Sequence, residues 1–153
     1  MNLLIALIFS LSPGSLGAGF ILGQPTGLSF SYIISHNNFS ELALAWAIPG
    51  RFHFNADLLF QWDIQANQED FEIELPGRFT FYSGPGLSFE IDTSSYFGIR
   101  ADLGLRYELK GTPIDIFLEV APGVRLFPET TAFMEGGIGG RFYFFKKNRH
   151  KSY

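Results

Sequence analysis

In the second half of this chain, the character of the side chains changes at nearly every residue. Between Tyr96 and Leu109, the odd positions are apolar or aromatic, and the even positions are Gly, Arg, Asp or Glu. The segment from Ile114 to Leu126 alternates in a similar way. Successive residues of a β-strand point to opposite faces, so each segment predicts a strand with one apolar face and one small or charged face.

About eight such segments follow one another, and Gly, Pro, Asn and Asp mark tight turns between them. The predicted strands span 16–24, 26–36, 39–48, 51–63, 78–91, 96–109, 113–126 and 133–145. No helical period follows the first residues. The pattern predicts an all-β fold, an eight-stranded antiparallel up-and-down transmembrane barrel with short turns and a polar interior filled by side chains. The barrel is expected to be closed because an open edge in lipid would leave backbone amides without partners.

Side-chain volume indicates which face lies inside. A closed barrel of about eight strands has an interior just wide enough for side chains. The apolar positions include Phe20, Trp46, Phe60, Phe81 and Phe142, which cannot all fit there, whereas the other positions are rich in Gly and Ala. We therefore expect the apolar face to lie outside and the polar face to fill the lumen.

The types of charge support the same orientation. The strands carry Arg, Asp and Glu, whereas the lysines, Lys110, Lys146, Lys147 and Lys151, fall in a turn or near the C-terminus. The planar guanidinium group of Arg suits enclosed ion pairs better than the strongly hydrated ammonium group of Lys. The charged face is therefore predicted to be enclosed.

Composition narrows the classes of function. The chain has 153 residues, 18 of them Phe, and a net charge of -4 with its basic residues scattered, so nucleic acid is not an expected partner. The absence of Cys excludes a disulfide scaffold and a thiol nucleophile. The acidic stretch 68–74 has carboxylates at alternating positions and no glycine turn, which does not fit a calcium loop. We expect no metal site and no cofactor.

The first residues predict a leader. An apolar run from Leu3 to Leu11 is shorter than the ~20 residues of a spanning helix, and small residues follow it. The predicted parts are a signal peptide over 1–17, cleaved between about 14 and 17, a barrel over 16–145 and a basic tail over 146–153.

Hairpin pairing predicts ion pairs in the lumen, because inward residues must face inward residues. The expected opposite-charge pairs are Arg125 with Glu135, Glu119 with Arg141, and Glu90 with Arg100. The hairpin at Gly111 places Glu108 opposite Asp115, a like-charge pair that needs either Arg106 or a protonated carboxyl group nearby. The predicted network comprises Asp57, Arg78, Glu90, Arg100, Asp102, Arg106, Glu108, Asp115, Glu119, Arg125, Glu135 and Arg141. Such a network plugs the lumen, which argues against an open porin.

Several short motifs occur in a particular order along the chain. They are Leu16-Gly17-Ala18-Gly19, Leu22-Gly23, Pro25 to Ser29, Leu103-Gly104-Leu105, Lys110-Gly111, Pro113 to Pro122 and Gly136 to Phe144. The chain resembles the small outer-membrane barrels of the OmpX and OmpA transmembrane type, and is more similar still to a family of short bacterial outer-membrane barrel proteins found in spirochaetes among others. The resemblance implies a location in the bacterial outer membrane, contact with its lipid and recognition by the outer-membrane assembly machinery.

Aromatic residues near strand ends fit the girdles that membrane barrels place at both interfaces. The predicted girdle comprises Tyr32, Trp46, Trp62, Tyr107 and Phe144. We expect a monomer with a structural role in the envelope or in weak contact with a surface or host protein.

Two other functions stay open. A soluble lipocalin-like barrel would carry a hydrophobic ligand, and it requires the apolar positions inside. An outer-membrane enzyme that modifies lipid would need a nucleophile with a positioned base. His53 is the one histidine within a strand, and Ser29, Ser31 and Ser88 are inward candidates, but a histidine held in a polar lumen explains these residues better. We therefore predict no catalytic residues.

Overall fold

The computed structural model describes residues 14–24, 26–47, 50–64, 77–92, 95–109 and 111–144. The predicted leader up to residue 13, the acidic stretch 68–74 and the basic tail 146–153 lie outside the described residues. In the described part of the chain, no helix is long and apolar enough to cross a membrane.

The chain forms eight antiparallel strands that close into one up-and-down barrel, in which β8 pairs with β1. The strands are β1 (Leu16–Gln24), β2 (Gly27–Ser35), β3 (Asn38–Ala47), β4 (Arg51–Asp63), β5 (Gly77–Ile91), β6 (Tyr96–Leu109), β7 (Ile114–Phe127) and β8 (Thr131–Phe144). The predicted number and order of strands are confirmed, and the strand ends differ from the expected ones by at most two residues.

The strands are tilted because their registers are staggered. Following paired residues once around the barrel shifts the register by about ten residues, which for eight strands corresponds to a tilt of roughly 40°. Each residue then rises by about 2.5 Å along the barrel axis. The longest strand, β5, has 15 residues, and the shortest, β1 and β2, have nine.

The two faces of the wall have opposite character. Among the described residues, twenty-nine large apolar side chains are exposed on the outside of the barrel and at its rims, whereas Arg100, Arg106 and Arg141 are at most 5% exposed and lie inside. The lumen is not purely polar, because an apolar cluster joins the charged groups. The cluster comprises Ile21, Ile33, Phe39, Leu59, Tyr82, Phe117 and Tyr143.

Glycines make room for the large lumenal side chains. A Cβ atom on Gly104 would lie 2.1 Å from the ring of Tyr82, and one on Gly17 would lie 2.7 Å from the ring of Tyr143. Both distances are far shorter than a van der Waals contact. At these inward glycines, the missing side chain therefore leaves space that the ring of a neighbouring aromatic residue occupies.

The barrel has two ends, which we name by their connections. The terminal end carries the start of β1 and the end of β8, and the mouth end carries the β1–β2, β3–β4, β5–β6 and β7–β8 connections. At the mouth end β8 is longer than β1, since pairing of the two strands stops at Gln24 and Gly136. Residues 131–135 of β8 therefore pair with β7 on one side and have no strand of the described chain on the other.

Candidate functional site: the lumen and its mouth

Arg100 projects from β6 into the lumen, where four carboxylates surround its guanidinium group. Its nitrogens lie 3.0 Å from Asp57, 2.7 Å from Asp102, 2.5 Å from Glu135 and 3.7 Å from Glu119. These acids come from β4, β6, β7 and β8. One cation therefore connects opposite walls of the barrel, which the five donors of the guanidinium fork allow.

Arg141 forms a second connection across the lumen. Its Nη1 lies 2.6 Å from Oε2 of Glu41 on β3, and its Nε and Nη2 donate to the two oxygens of Asp115 on β7, at 3.2 and 3.3 Å. The Tyr143 hydroxyl donates to the same Asp115 carboxylate at 2.6 Å. The guanidinium carbon also lies 4.1 Å from the centre of the Phe117 ring, which adds a cation–π contact.

Arg106 completes the deep network. Its Nη2 lies 2.5 Å from Glu108, and its Nε lies 3.8 Å from Asp115. The register of β6 and β7 places Glu108 opposite Asp115, the pairing that the hairpin at Gly111 predicts, and Arg106 lies between the two acids as expected. Arg78 extends the network to the terminal end, where it pairs with Asp63 at 2.5 Å.

The three predicted opposite-charge pairs are wrong, because the registers of two hairpins differ from the expected ones. Arg125 lies opposite Thr131, Glu119 opposite Gly137, Arg141 opposite Asp115, Glu90 opposite Tyr96 and Arg100 opposite Gly86. In both hairpins the register is shifted along the strands, so the partner of a given residue lies four positions from the expected one. An even shift keeps every side chain on its face, so the alternation that identifies the inward residues cannot reveal it.

The predicted network residues therefore divide among three regions. Asp57, Arg100, Asp102, Arg106, Glu108, Asp115, Glu119 and Arg141 lie deep in the lumen, Arg78 lies at the terminal end, Glu90 and Arg125 lie at the mouth end, and Glu135 borders both the lumen and the mouth. Sequence reasoning missed Glu41 and Asp63. Glu41 shares its parity with the small residues Ala43 and Ala45, and that signal indicates an inward position.

The closed lumen holds more acidic groups than basic ones. Among the buried residues, the acids are Glu41, Asp57, Asp102, Glu108, Asp115, Glu119 and Glu135, and the arginines are Arg100, Arg106 and Arg141. Several carboxylate oxygens, including Oε1 of Glu41 and Oδ1 of Asp102, have no hydrogen-bond partner among the described residues. An anion that entered this region would therefore be surrounded by more carboxyl than guanidinium groups, in an environment that screens charge poorly.

A cavity of about 330 Å³ opens at the mouth end. All eight strands or their adjoining turn residues contribute to its wall. The wall comprises Gly23, Gln24, Thr26, Ala45, Trp46, Arg51, His53, Glu90, Tyr96, Arg125, Phe133, Met134 and Glu135. The cavity lies above the ion pairs of Arg100, so the network forms the floor of an open cup.

His53 connects side chains from several strands at the base of this cavity. Its Nδ1 lies 3.3 Å from Oε2 of Glu90, and its Nε2 lies 3.1 Å from Oε1 of Glu135 and 3.0 Å from Oδ1 of Asn55. Asn55 in turn donates to Oε2 of Glu135 at 3.0 Å. The histidine therefore joins β4, β5 and β8 at the base of the mouth.

Ser88, His53 and Glu90 also follow the order of a nucleophile, a base and a carboxylate. The Ser88 oxygen lies 3.4 Å from Nε2 of His53, on the opposite side of the ring from Glu90. The Ser88 side chain is, however, fully buried, and Asn55 and Glu135 lie closer to the same nitrogen. The described geometry therefore gives His53 closer partners than Ser88 at the base of the cavity.

The predicted girdle residues lie on the outside of the barrel. Tyr32, Trp46, Trp62 and Phe144 are between 47% and 59% exposed, and Tyr107 is half-buried against Phe79. Trp46 lies near the mouth end, whereas the other four lie near the terminal end. Four of the five predicted residues therefore lie at one end of the barrel and one lies at the other.

Comparisons with protein-family models, with characterised proteins and with solved structures found no match to this chain. The geometry of the barrel therefore carries the functional argument.

Proposed function

We propose that the chain is an integral β-barrel protein of the bacterial outer membrane, with a structural or surface-contact role and without an open channel. The observation that carries the proposal is the inverted distribution of polarity. Large apolar side chains cover the outside, and ion pairs fill the inside. Monomeric proteins in water rarely expose a continuous apolar patch of more than a few hundred Å².

The dimensions of the wall support this proposal. At about 2.5 Å of rise per residue, strands of nine to 15 residues reach roughly 22 to 37 Å along the barrel axis. The apolar band of a membrane barrel is about 25 Å tall. Closure of β8 on β1 pairs the backbone along the middle of the barrel, as a hydrocarbon environment requires.

The side chains that fill the lumen support the proposal that the barrel has no open channel. Arg100 and Arg141 each connect opposite walls, and Phe39, Tyr82 and Phe117 fill the space beside them. We further propose that the protein is a monomer in contact with membrane lipid. The outer-membrane assembly machinery would insert it, and its mouth end would make weak contacts at the cell surface.

Heat-modifiable gel mobility tests the proposal. The denatured chain is refolded in detergent micelles, in lipid vesicles and in plain buffer, and each sample is run with and without boiling. We expect a fast-migrating folded band only with detergent or lipid, and we expect boiling to abolish it. A soluble folded monomer in plain buffer would overturn the membrane assignment and favour a carrier with a ligand in its lumen.

Planar bilayers test the closed lumen separately. We expect the refolded protein to insert without steady channel currents, because the ion pairs of Arg100 and Arg141 block the path. Steady conductance of a size typical of porins would contradict the plugged lumen while leaving the membrane assignment intact.

A further inference from the structure

Arg125 has no counter-charge among the residues that the structure describes. It projects from β7 into the mouth cavity, where its guanidinium carbon lies 4.1 Å from the centre of the Tyr96 ring. Its Nε is buried and has no hydrogen-bond partner, and it forms no ion pair with any residue that the structure describes. Because the guanidinium group lies against the ring, the donors on its edge remain free to bind a planar anionic group.

The other charged groups of the mouth are paired with one another. Glu90 lies 3.4 Å from Arg51 and 3.3 Å from His53, and Glu135 lies 2.5 Å from Arg100 and 3.1 Å from His53. Neither carboxylate contacts Arg125. The mouth therefore offers a ligand one positive charge on β7, and its two carboxylates, on β5 and β8, are already engaged by other described residues.

The wall beside Arg125 is apolar and aromatic. The rings of Tyr96 and Phe133 lie 6.3 Å apart, and Met134 and Trp46 continue this surface toward the rim. A volume of about 330 Å³ corresponds to the space of roughly ten water molecules, which is enough for one small molecule. The site therefore combines one charged anchor with room for a flat apolar body.

We infer that the mouth of the barrel binds a small organic carboxylate with an aromatic or otherwise flat apolar body, held by a two-point contact of its carboxylate with Arg125. A single negative charge matches the single free guanidinium group. A phosphate group, with its greater charge, would be repelled more strongly by Glu90 and Glu135. The inference rests on the geometry of the mouth, so it applies to the folded barrel in micelles as well as in a membrane.

The acidic lumen keeps such a ligand at the mouth. Below the cavity lie Asp57, Asp102 and Glu119, gathered around Arg100. An anion bound at Arg125 would gain no electrostatic attraction by moving deeper, because these carboxyl groups already surround Arg100. The site is therefore a receptor for a small anion rather than the entrance of a path across the barrel.

The chain offers an internal fluorescent donor for the test. It has two tryptophans, and a Trp62→Phe background leaves Trp46, which lines the cavity, as the only one. Folded protein in micelles is titrated with anthranilate, an aromatic carboxylate, and with anthranilamide, its uncharged counterpart, and energy transfer from Trp46 is measured. We expect anthranilate to bind at least about tenfold more tightly than anthranilamide, as befits a hydrogen-bonded charge pair.

Variants assign the binding to Arg125. In the same background, Arg125→Gln should lower the affinity for anthranilate about tenfold or more, and Arg78→Gln, at the terminal end, should leave it unchanged. The folded gel band confirms that each variant is intact. If Arg125→Gln does not fold, Arg125→Lys replaces it, since it keeps the charge and loses the planar fork.

Undiminished binding in the folded Arg125 variant, or equal binding of both probes, would overturn the inference. Displacement of anthranilate by inorganic phosphate at lower concentration than by acetate would overturn the assignment to a carboxylate.

Discussion

Replacing Arg141 with Met should destabilise the barrel far more than any change at its rims. The substitution removes three hydrogen bonds, one to Glu41 and two to Asp115. It leaves the Glu41 carboxylate buried without its cation, and it leaves Asp115 with only the more distant Arg106, whose Nε lies 3.8 Å away. Both acids are at most 1% exposed. Removing one partner of a buried ion pair costs about 3–5 kcal/mol in free energy of unfolding, most of it from the uncompensated charge.

Whether unpaired buried charge causes this loss of stability can be tested by also removing the charges of Glu41 and Asp115. The triple variant Arg141→Met, Glu41→Gln and Asp115→Asn keeps the shapes of both acids, and the Asn side-chain oxygen can still accept from Tyr143. We expect it to regain at least about 2 kcal/mol relative to the single variant. The control is Arg78→Met, which disrupts a partly exposed pair with Asp63 and should cost no more than about 1 kcal/mol.

The assay is equilibrium unfolding in urea, with the protein in lipid vesicles and tryptophan fluorescence as the signal. The free energy of unfolding of each variant is compared with that of the parent protein. A single Arg141→Met variant within about 1 kcal/mol of the parent would refute the reasoning, because it would mean that the pair carries little net energy. A triple variant no more stable than the single one would show that the cost does not come from unpaired charge.

Three further predictions follow from packing, orientation and register. Gly104→Ala should destabilise the barrel by about 1–3 kcal/mol in the same unfolding assay, because its Cβ would lie 2.1 Å from a lumenal ring, whereas Gly140→Ala, with its nearest atom at 3.4 Å, should change little. Leu118→Arg, at an outward position that is 53% exposed, should lower stability in vesicles by about 2–4 kcal/mol, and an unchanged value would contradict burial of that face in lipid. Exchanging Arg125 and Glu135 should give a double variant no more heat-resistant on gels than Glu135→Arg alone, because Arg125 lies opposite Thr131; recovery of the parent's resistance would restore the pairing expected from sequence.

The sequence predicts the faces of the strands well because parity is a local property. Whether Arg106 or Leu105 points inward depends only on its neighbours along one strand, and the large apolar residues decide which parity is outside. The deep arginines could therefore be assigned to the lumen. Phe39 and Leu59 show the limit of this reasoning, since the expectation of a small and polar interior gave no place to large inward apolar residues.

The partners within the lumen could not be predicted in the same way. They depend on the register of each hairpin and on the tilt of the closed barrel, which are set by all eight strands together. Glu41 and Arg141 are 100 residues apart and lie on strands that are not neighbours, so no hairpin argument relates them. The mouth cavity likewise exists only after closure. Its free cation, Arg125, was assigned to an ion pair that a shift of four residues removes.

In the membrane location that we propose, the unequal heights of β1 and β8 limit how deeply the barrel can sit in the bilayer. On the β1 side, residues 131–135 pair with no strand among the described residues, and an unpaired amide in hydrocarbon costs several kcal/mol. The upper boundary of the hydrocarbon can therefore rise no higher than the last pair, Gln24 with Gly136. Met134 and Phe127, which are 66% and 70% exposed, then stand at the level of the lipid headgroups or above them. The immersion depth of the whole molecule is thus set by backbone hydrogen bonding on one side of the barrel and not by the height of its aromatic residues.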